Sequence, residues 1–142
     1  MEAVRKGKEI RVITENKVGV LSQITGYISD EGVNIEDICA YATGDQALFY
    51  LITDNNEKVK KILSEKGYNV EEKEVVILSL ENRPGALSKV SARLKEEGIN
   101  LHYIYGTTCD GGERTTVVFS SDNNEKAVEV LKFILSLSSW GK

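Results

Sequence analysis

Two short runs hold the residues best suited to chemistry in this 142-residue chain. Glu15-Asn16-Lys17-Val18-Gly19-Val20-Leu21-Ser22 returns as Glu81-Asn82-Arg83-Pro84-Gly85-Ala86-Leu87-Ser88. Each places a glycine at the mouth of a helical pattern. A helix start offers unpaired backbone N–H groups and partial positive charge, which suit a carboxylate. Gly19 and Gly85 let a ligand reach the backbone without a side chain in the way. Pro84 fits a first helical turn, where its missing N–H costs nothing. Each loop asparagine has a second asparagine eighteen residues on, Asn34 for Asn16 and Asn100 for Asn82. Side-chain amides both donate and accept, so such a set could hold the ammonium and the carboxylate of one zwitterion, as in an amino acid. The same residues also suit a purely structural part. Asn16 and Asn82 could cap the helix, and Asn34 and Asn100 could tie down the turn after it. Residue chemistry leaves both readings open.

The elements that position these loops come in two copies. The loop and the later Glu31-Gly32-Val33-Asn34-Ile35 recur at a constant offset of 66, as Glu81 onward and Glu97-Gly98-Ile99-Asn100-Leu101. Asp54-Asn55-Asn56-Glu57-Lys58 recurs at an offset of 68 as Asp122-Asn123-Asn124-Glu125-Lys126, so two residues are inserted near Asp110 to Glu113. One architecture must explain both halves. Lys8 to Thr14 alternates as a strand, and Val75 to Leu80 is its more apolar counterpart. Leu21, Ile24 and Ile28, matched by Leu87, Val90 and Leu94, mark one apolar helix stripe. Gly32 and Gly98 fall where a helix ends in the left-handed region.

Strands follow at Val33 to Ala42 and Ile99 to Thr108, then turn chemistry, then strands at Ala47 to Thr53 and Thr115 to Ser121. Asp54 with Glu57, and Asp122 with Glu125, have capping-box spacing ahead of a second helix. Tyr68 to Glu72 can form a fourth strand. The predicted fold is α+β: a ferredoxin-like βαββαβ unit in two tandem copies side by side, with antiparallel sheets and helices on one face. The copies are residues 1–73 and 74–142. The second shows no evident closing strand, since Phe133 to Lys142 reads as a longer helix with a docked tail. Tyr68 to Leu80 runs from strand to strand with no linker, which predicts a stiff junction.

Bulk properties narrow the function. Hydrophobic residues at 41% and charged residues at 28% describe a soluble globular chain. Each half is thin for a core of its own, so association is expected, with Tyr103 and Tyr105 near an interface of a homo-oligomer. A net charge of −4 disfavours nucleic acid and anionic membranes. No apolar run has membrane-spanning length and no signal-peptide core is visible, so the expected setting is cytoplasmic. Cys39 and Cys109 form no Cys-x-x-Cys and read as small packing thiols. No metal or cofactor is implied, and no Ser-His-Asp set, metalloprotease motif or phosphate loop points to catalysis. His102, the single histidine, faces Glu36 in the repeat and is read as a strand residue. RNA-binding folds share this element order but stack bases on strand aromatics. Here Phe49 and Tyr50 match Val117 and Val118, which argues against that class.

Asn-Arg-Pro-Gly-Ala-Leu, a helix, and Glu-Glu-Gly-Ile-Asn-Leu together resemble the ACT domain, the ligand-sensing βαββαβ module of amino-acid metabolism. The resemblance covers nearly the whole chain as two copies. It implies a non-catalytic sensor with an amino acid at the loop between first strand and first helix. The implied site is Asn82, Arg83, Pro84, Gly85, Ala86, Leu87, Asn100 and Leu101. Its counterpart is Asn16, Gly19, Val20, Leu21, Asn34 and Ile35. In the serine-sensing module of phosphoglycerate dehydrogenase, two asparagines at the matching positions hold the ligand. A histidine two residues before the loop asparagine also helps there. Thr14 and Leu80 occupy that place here, which argues against serine. An alternative implied by the resemblance is a regulatory subunit docking on a biosynthetic enzyme such as acetolactate synthase, whose modules begin with a similar run.

Overall fold

The computed structural model describes residues 4–108 and 111–135. Its elements run β1 (Val4–Glu15), α1 (Val20–Asp30), β2 (Ile35–Thr43), β3 (Gln46–Thr53), α2 (Asn56–Glu65), β4 (Asn69–Glu81), α3 (Ala86–Glu96), β5 (Leu101–Thr108), β6 (Arg114–Ser121) and α4 (Asn124–Leu135). The chain divides into two compact units. One is Lys8–Lys73, and the other joins Val4–Gly7 with the described residues from Glu74 onward. The division falls inside β1 and inside β4, so each of these long strands serves both units.

In the Lys8–Lys73 unit the strand order is β2-β3-β1, with the Asn69–Lys73 part of β4 next to β1. β1 and β3 are antiparallel with Ile10 facing Leu51 and Val12 facing Phe49. β2 and β3 are antiparallel with Ile38 facing Leu51 and Ala40 facing Phe49. Ile10 and Val12 of β1 and Ala47, Phe49 and Leu51 of β3 meet Ile24 and Ile28 of α1 and Val59 and Leu63 of α2 in one core. Each fully buried Ile or Leu adds about 1.5–3 kcal/mol relative to exposure. Val70 and Tyr68 pack on the same core from the closing strand and the turn before it. The opposite face of this sheet is mixed, with Ile13, Leu48 and the buried Ile52 beside polar groups. Arg11 Nε donates to Glu9 Oε1 at 3.0 Å, and its guanidinium lies 5.5 Å from the Tyr50 ring centre. The hydroxyls of Tyr41 and Tyr50 are 3.3 Å apart.

The second unit repeats the plan with strand order β4-β6-β5 and the Val4–Gly7 part of β1 beside β4. Leu78, Leu80, Phe119, Val90, Leu94 and Leu131 form its core, and Val4, 2% exposed, belongs to the same cluster. Val4 therefore does for this unit what Val70 does for the other. Gly7 lies so near Ile77 that a Cβ there would collide with Ile77 Cδ1. This changes the division read from the sequence. Val4–Gly7 goes with the second repeat rather than the first, and it fills the place of the closing strand that the second repeat lacks among the described residues. The tail expected after the last helix lies outside the described residues, as does Cys109.

Two local readings are also corrected. The apolar helix stripe starts one residue earlier than the spacing suggested. Ala86, Val90 and Leu94 are buried, and Val20 packs with Ile24 and Ile28, whereas Leu21 and Leu87 are 48% and 47% exposed. The acidic residues are not caps. Asn55 Oδ1 accepts the Lys58 N–H at 3.2 Å and Asn123 Oδ1 accepts that of Lys126 at 3.1 Å, so the helices begin one residue later. Asp54 and Asp122 are freed to accept from β2 and β5 instead, as described below.

Candidate functional site

The loops between strand and helix are built alike in both units. Gly19 and Gly85 are the N-caps of α1 and α3, with φ of 90° and 88° and no side-chain cap bond. The positive φ turns the chain sharply into the helix, a conformation that L side chains resist. The first bonds inside are Gln23 N–H to Gly19 O at 3.0 Å and Lys89 N–H to Gly85 O at 3.1 Å. The N–H groups of Leu21 and Ser22, and of Leu87 and Ser88, therefore have no partner one turn back within the helix. Each loop also carries an ion pair. Lys17 Nζ lies 2.9 Å from Glu15 Oε2, and Arg83 Nε lies 3.0 Å from Glu81 Oε2. Hydrogen bonding and charge from Lys17 hold the Glu15 carboxyl below its ordinary range, and Glu15 raises Lys17 in return. The Arg83–Glu81 contact is close but not aligned as a hydrogen bond, so the Nε donor is not consumed by Glu81.

The asparagines do not cap the helices. Asn16 N–H donates to Asp45 O at 2.8 Å, and Asn82 N–H donates to Glu113 O at 2.8 Å. Asn82 Nδ2 adds a bond to Gly112 O at 3.1 Å. Both thus lash the loop to the neighbouring strand hairpin. Asn34 and Asn100 lie elsewhere: their N–H groups donate to Asp54 Oδ1 at 3.0 Å and Asp122 Oδ1 at 3.1 Å. Asn16 stands by the hairpin end of β2 and Asn34 precedes its other end. β2 has 9 residues, and at about 3.3 Å per residue its ends are roughly 27 Å apart. Asn16 with Asn34, and Asn82 with Asn100, cannot touch one amino acid within a unit. Ile35 and Leu101 pack on the cores.

Each loop borders a cleft inside its own unit. The first, of about 420 Å³, lies between the Thr14–Val20 stretch and Tyr68, with Lys17 and Gln23 on its wall. Of the six residues expected for this copy, only Val20 lines it. The second cleft, of about 390 Å³, is lined by Asn82, Arg83, Ala86 and Leu87. Pro84 and Gly85 shape the loop without lining the cleft, and Asn100 and Leu101 are remote from it. Its far wall, Ile104 and Gly106 of β5 and Val117 of β6, was missed by sequence reasoning. A comparison of the two copies strand by strand, rather than loop by loop, carries that signal. His102 is exposed at an irregularity of β5, with Nδ1 3.4 Å from Ser120 Oγ. Among the described residues no three His, Cys, Asp or Glu side chains are arranged to hold a metal, and no helix is long and apolar enough to cross a membrane.

A split βαβ unit carried twice, each with a glycine-capped loop opening onto a cleft, defines a duplicated ferredoxin-like fold. The family profile of the ACT domain pair matches residues 7–137, and the chain belongs to that family. Among solved structures, protein BT0572 from Bacteroides thetaiotaomicron is 30% identical with a TM-score of 0.85, over 93% of this chain and 90% of that one. A structure of aspartokinase alpha and beta subunits aligns at 21% identity and a TM-score of 0.62, covering 96% and 99% of the two chains. The ligand-free regulatory subunit of aspartate kinase from Thermus thermophilus aligns at 14% identity and 0.62, covering 87% and 89%. No curated protein sequence matches the chain.

Proposed function

We propose that this chain is a non-catalytic sensor that binds an amino acid at the strand-to-helix loop and thereby regulates an enzyme of amino-acid metabolism. The observation that carries this reading is the second loop. There Arg83 and Glu81, opposite charges in contact, stand at the mouth of a largely apolar cleft beside a helix start. A zwitterion with an apolar side chain complements that arrangement, its carboxylate toward Arg83 and the N–H groups of α3. Membership of the ACT domain pair family supports it, and aspartate kinase regulatory subunits are among the folds that align. The first loop offers a more polar cleft, so the two repeats differ in ligand or only one is occupied. Asn34 and Asn100 lie at the far strand end from the loop of their own unit, so neither joins a ligand held at that loop. A homo-oligomer is the working form we propose, since each half is thin for a core of its own.

The test is a thermal-shift screen of the full chain against the twenty amino acids. A ligand at a hundred times its Kd stabilises the fold by about 2.7 kcal/mol. One amino acid, or a small chemical group of them, is expected to raise Tm. A flat response across all twenty would defeat the reading. Co-purification of a biosynthetic enzyme from native cells would identify the regulated partner.

A further inference from the structure

The helix-side surfaces of the two units differ at several cross-strand pairs, and one of these opens space. In the Lys8–Lys73 unit Ala40 of β2 faces Phe49 of β3. At the repeat-equivalent place in the other unit, Gly106 of β5 faces Val117 of β6. Both replacements are smaller, and together they remove about as much carbon as a leucine side chain carries. The neighbouring pair compensates in part, since Phe119 stands where the first repeat has Leu51, yet Gly106 and Val117 still line a cleft of about 390 Å³. Leu87 and Ile104 form its rim and remain 47% and 41% exposed, apolar surface left at the edge of an apolar hollow. A Cβ at Gly106 would sit tightly, 3.2 Å from the Thr116 carbonyl oxygen. The mouth carries the cation of Arg83 and the anion of Glu81, 3.0 Å apart.

We propose that this cleft is the side-chain pocket of the second repeat and selects an α-amino acid with a branched aliphatic side chain of leucine or isoleucine size. The proposal rests on the sensor reading above and adds the ligand class. The charged mouth takes the two charges of the amino acid, and the walls of Ala86, Leu87, Ile104 and Val117 take the hydrocarbon. Each buried methylene is worth roughly a fourfold gain in affinity, so leucine should bind on the order of 50-fold more tightly than alanine.

Calorimetry on the full chain with L-leucine, L-isoleucine, L-alanine, L-phenylalanine, L-serine and L-aspartate tests this. Leucine or isoleucine is expected to bind most tightly. Val117→Phe, which restores the residue of the first repeat, should weaken leucine at least about tenfold with the far-UV spectrum unchanged. Leu87→Glu changes only the exposed rim and should do the same, so the test survives if Val117→Phe does not fold. Phenylalanine binding more tightly than leucine would overturn the aliphatic assignment. Binding of serine or aspartate that Arg83→Gln weakens and Leu87→Glu does not would overturn this proposal while leaving the sensor reading intact. Failure of every amino acid to bind would overturn both.

Discussion

The backbone N–H of Asn100 donates to the carboxylate of Asp122 at 3.1 Å, while the N–H of Asp122 donates back to the Asn100 carbonyl at 3.0 Å. The same reciprocal clasp joins Asn34 and Asp54 at 3.0 and 3.1 Å. It fixes where β5 and β2 begin, and it uses the main chain of the asparagine rather than its side chain. Asp122→Ala should therefore cost about 1–2 kcal/mol in a urea melt, within the range for a bond to a charged group. Asn100→Ala should change stability by less than about 0.5 kcal/mol, as an exposed substitution does. A large loss in Asn100→Ala would show that its amide has a structural part.

The loop glycine makes a different kind of prediction. Gly85 has φ of 88°, and the space around its missing side chain is open. Ordinary helical backbone there would have made Gly85→Val harmless to the fold; the left-handed backbone makes it costly. Gly85→Ala should lower stability by about 1–2 kcal/mol through backbone conformation alone, with Gly85→Asn affected less. Equal melting temperatures for the glycine, alanine and asparagine forms would contradict this.

Arg83 should matter for binding and little for folding. Its only ion partner among the described residues is Glu81, and the contact is partly exposed, so it adds little stability. Arg83→Gln should weaken the bound amino acid about 10- to 100-fold, the loss of one charge-assisted bond. Calorimetry showing unchanged affinity would remove Arg83 from the site.

Tyr50 makes stability depend on alkaline pH. Burial, then the hydrogen bond with Tyr41, pushes its hydroxyl from 10.0 up to about 12. The folded state holds this proton more tightly than the unfolded chain does. Its contribution is thus complete below pH 10 and is lost as the pH rises from about 10 to 12. Burial also raises Tyr68, which adds to the same slope. Tyr50→Phe should flatten the fall in melting temperature across that window without abolishing it. An unchanged slope would count against the shift.

Val4 tests the closure of the second unit. Val4→Ala should destabilise the protein by about 1–3 kcal/mol, since it empties part of a packed core. Amide exchange should quicken in β4, β6 and α4 more than in α1 or β2. Uniform quickening would mean that Val4 supports something broader.

The alternation of Lys8 to Thr14, the helix spacing and the repeated turn residues made the βαββαβ order readable, because these are local signals with fixed periods. The loop was readable for the same reason: a glycine before an apolar helical stripe can be seen in one window. The pairing of Asn16 with Asn34 was not, because eighteen residues of helix and turn carry them to opposite ends of one strand. The outward set of Leu21 and Leu87 was hidden by a one-residue phase error in a stripe that Val20 and Ala86 complete. The far wall of the second cleft escaped notice because the match of Val117 with Phe49 spoke only to aromatic stacking, and Gly106 was not set against Ala40. The part played by Val4–Gly7 needed the tertiary structure, since its neighbours in space are remote in sequence.

That remoteness has a consequence for biosynthesis. Val4 and its core neighbour Val76 are 72 positions apart, and Leu131 of the same core comes later still. On the ribosome the Lys8–Lys73 unit can close as soon as its own last strand emerges. Val4–Gly7 is made before all of that unit and meets its partner strand only when the second part of β4 emerges, while the core neighbours of Val4 on β6 and α4 come later still. The order of assembly is thus first repeat, then second, with the Val4 side chain covered only when β6 and α4 arrive. During that interval the waiting strand offers open backbone groups to any other chain, so its exposure time, set by translation speed, governs how cleanly the second unit forms.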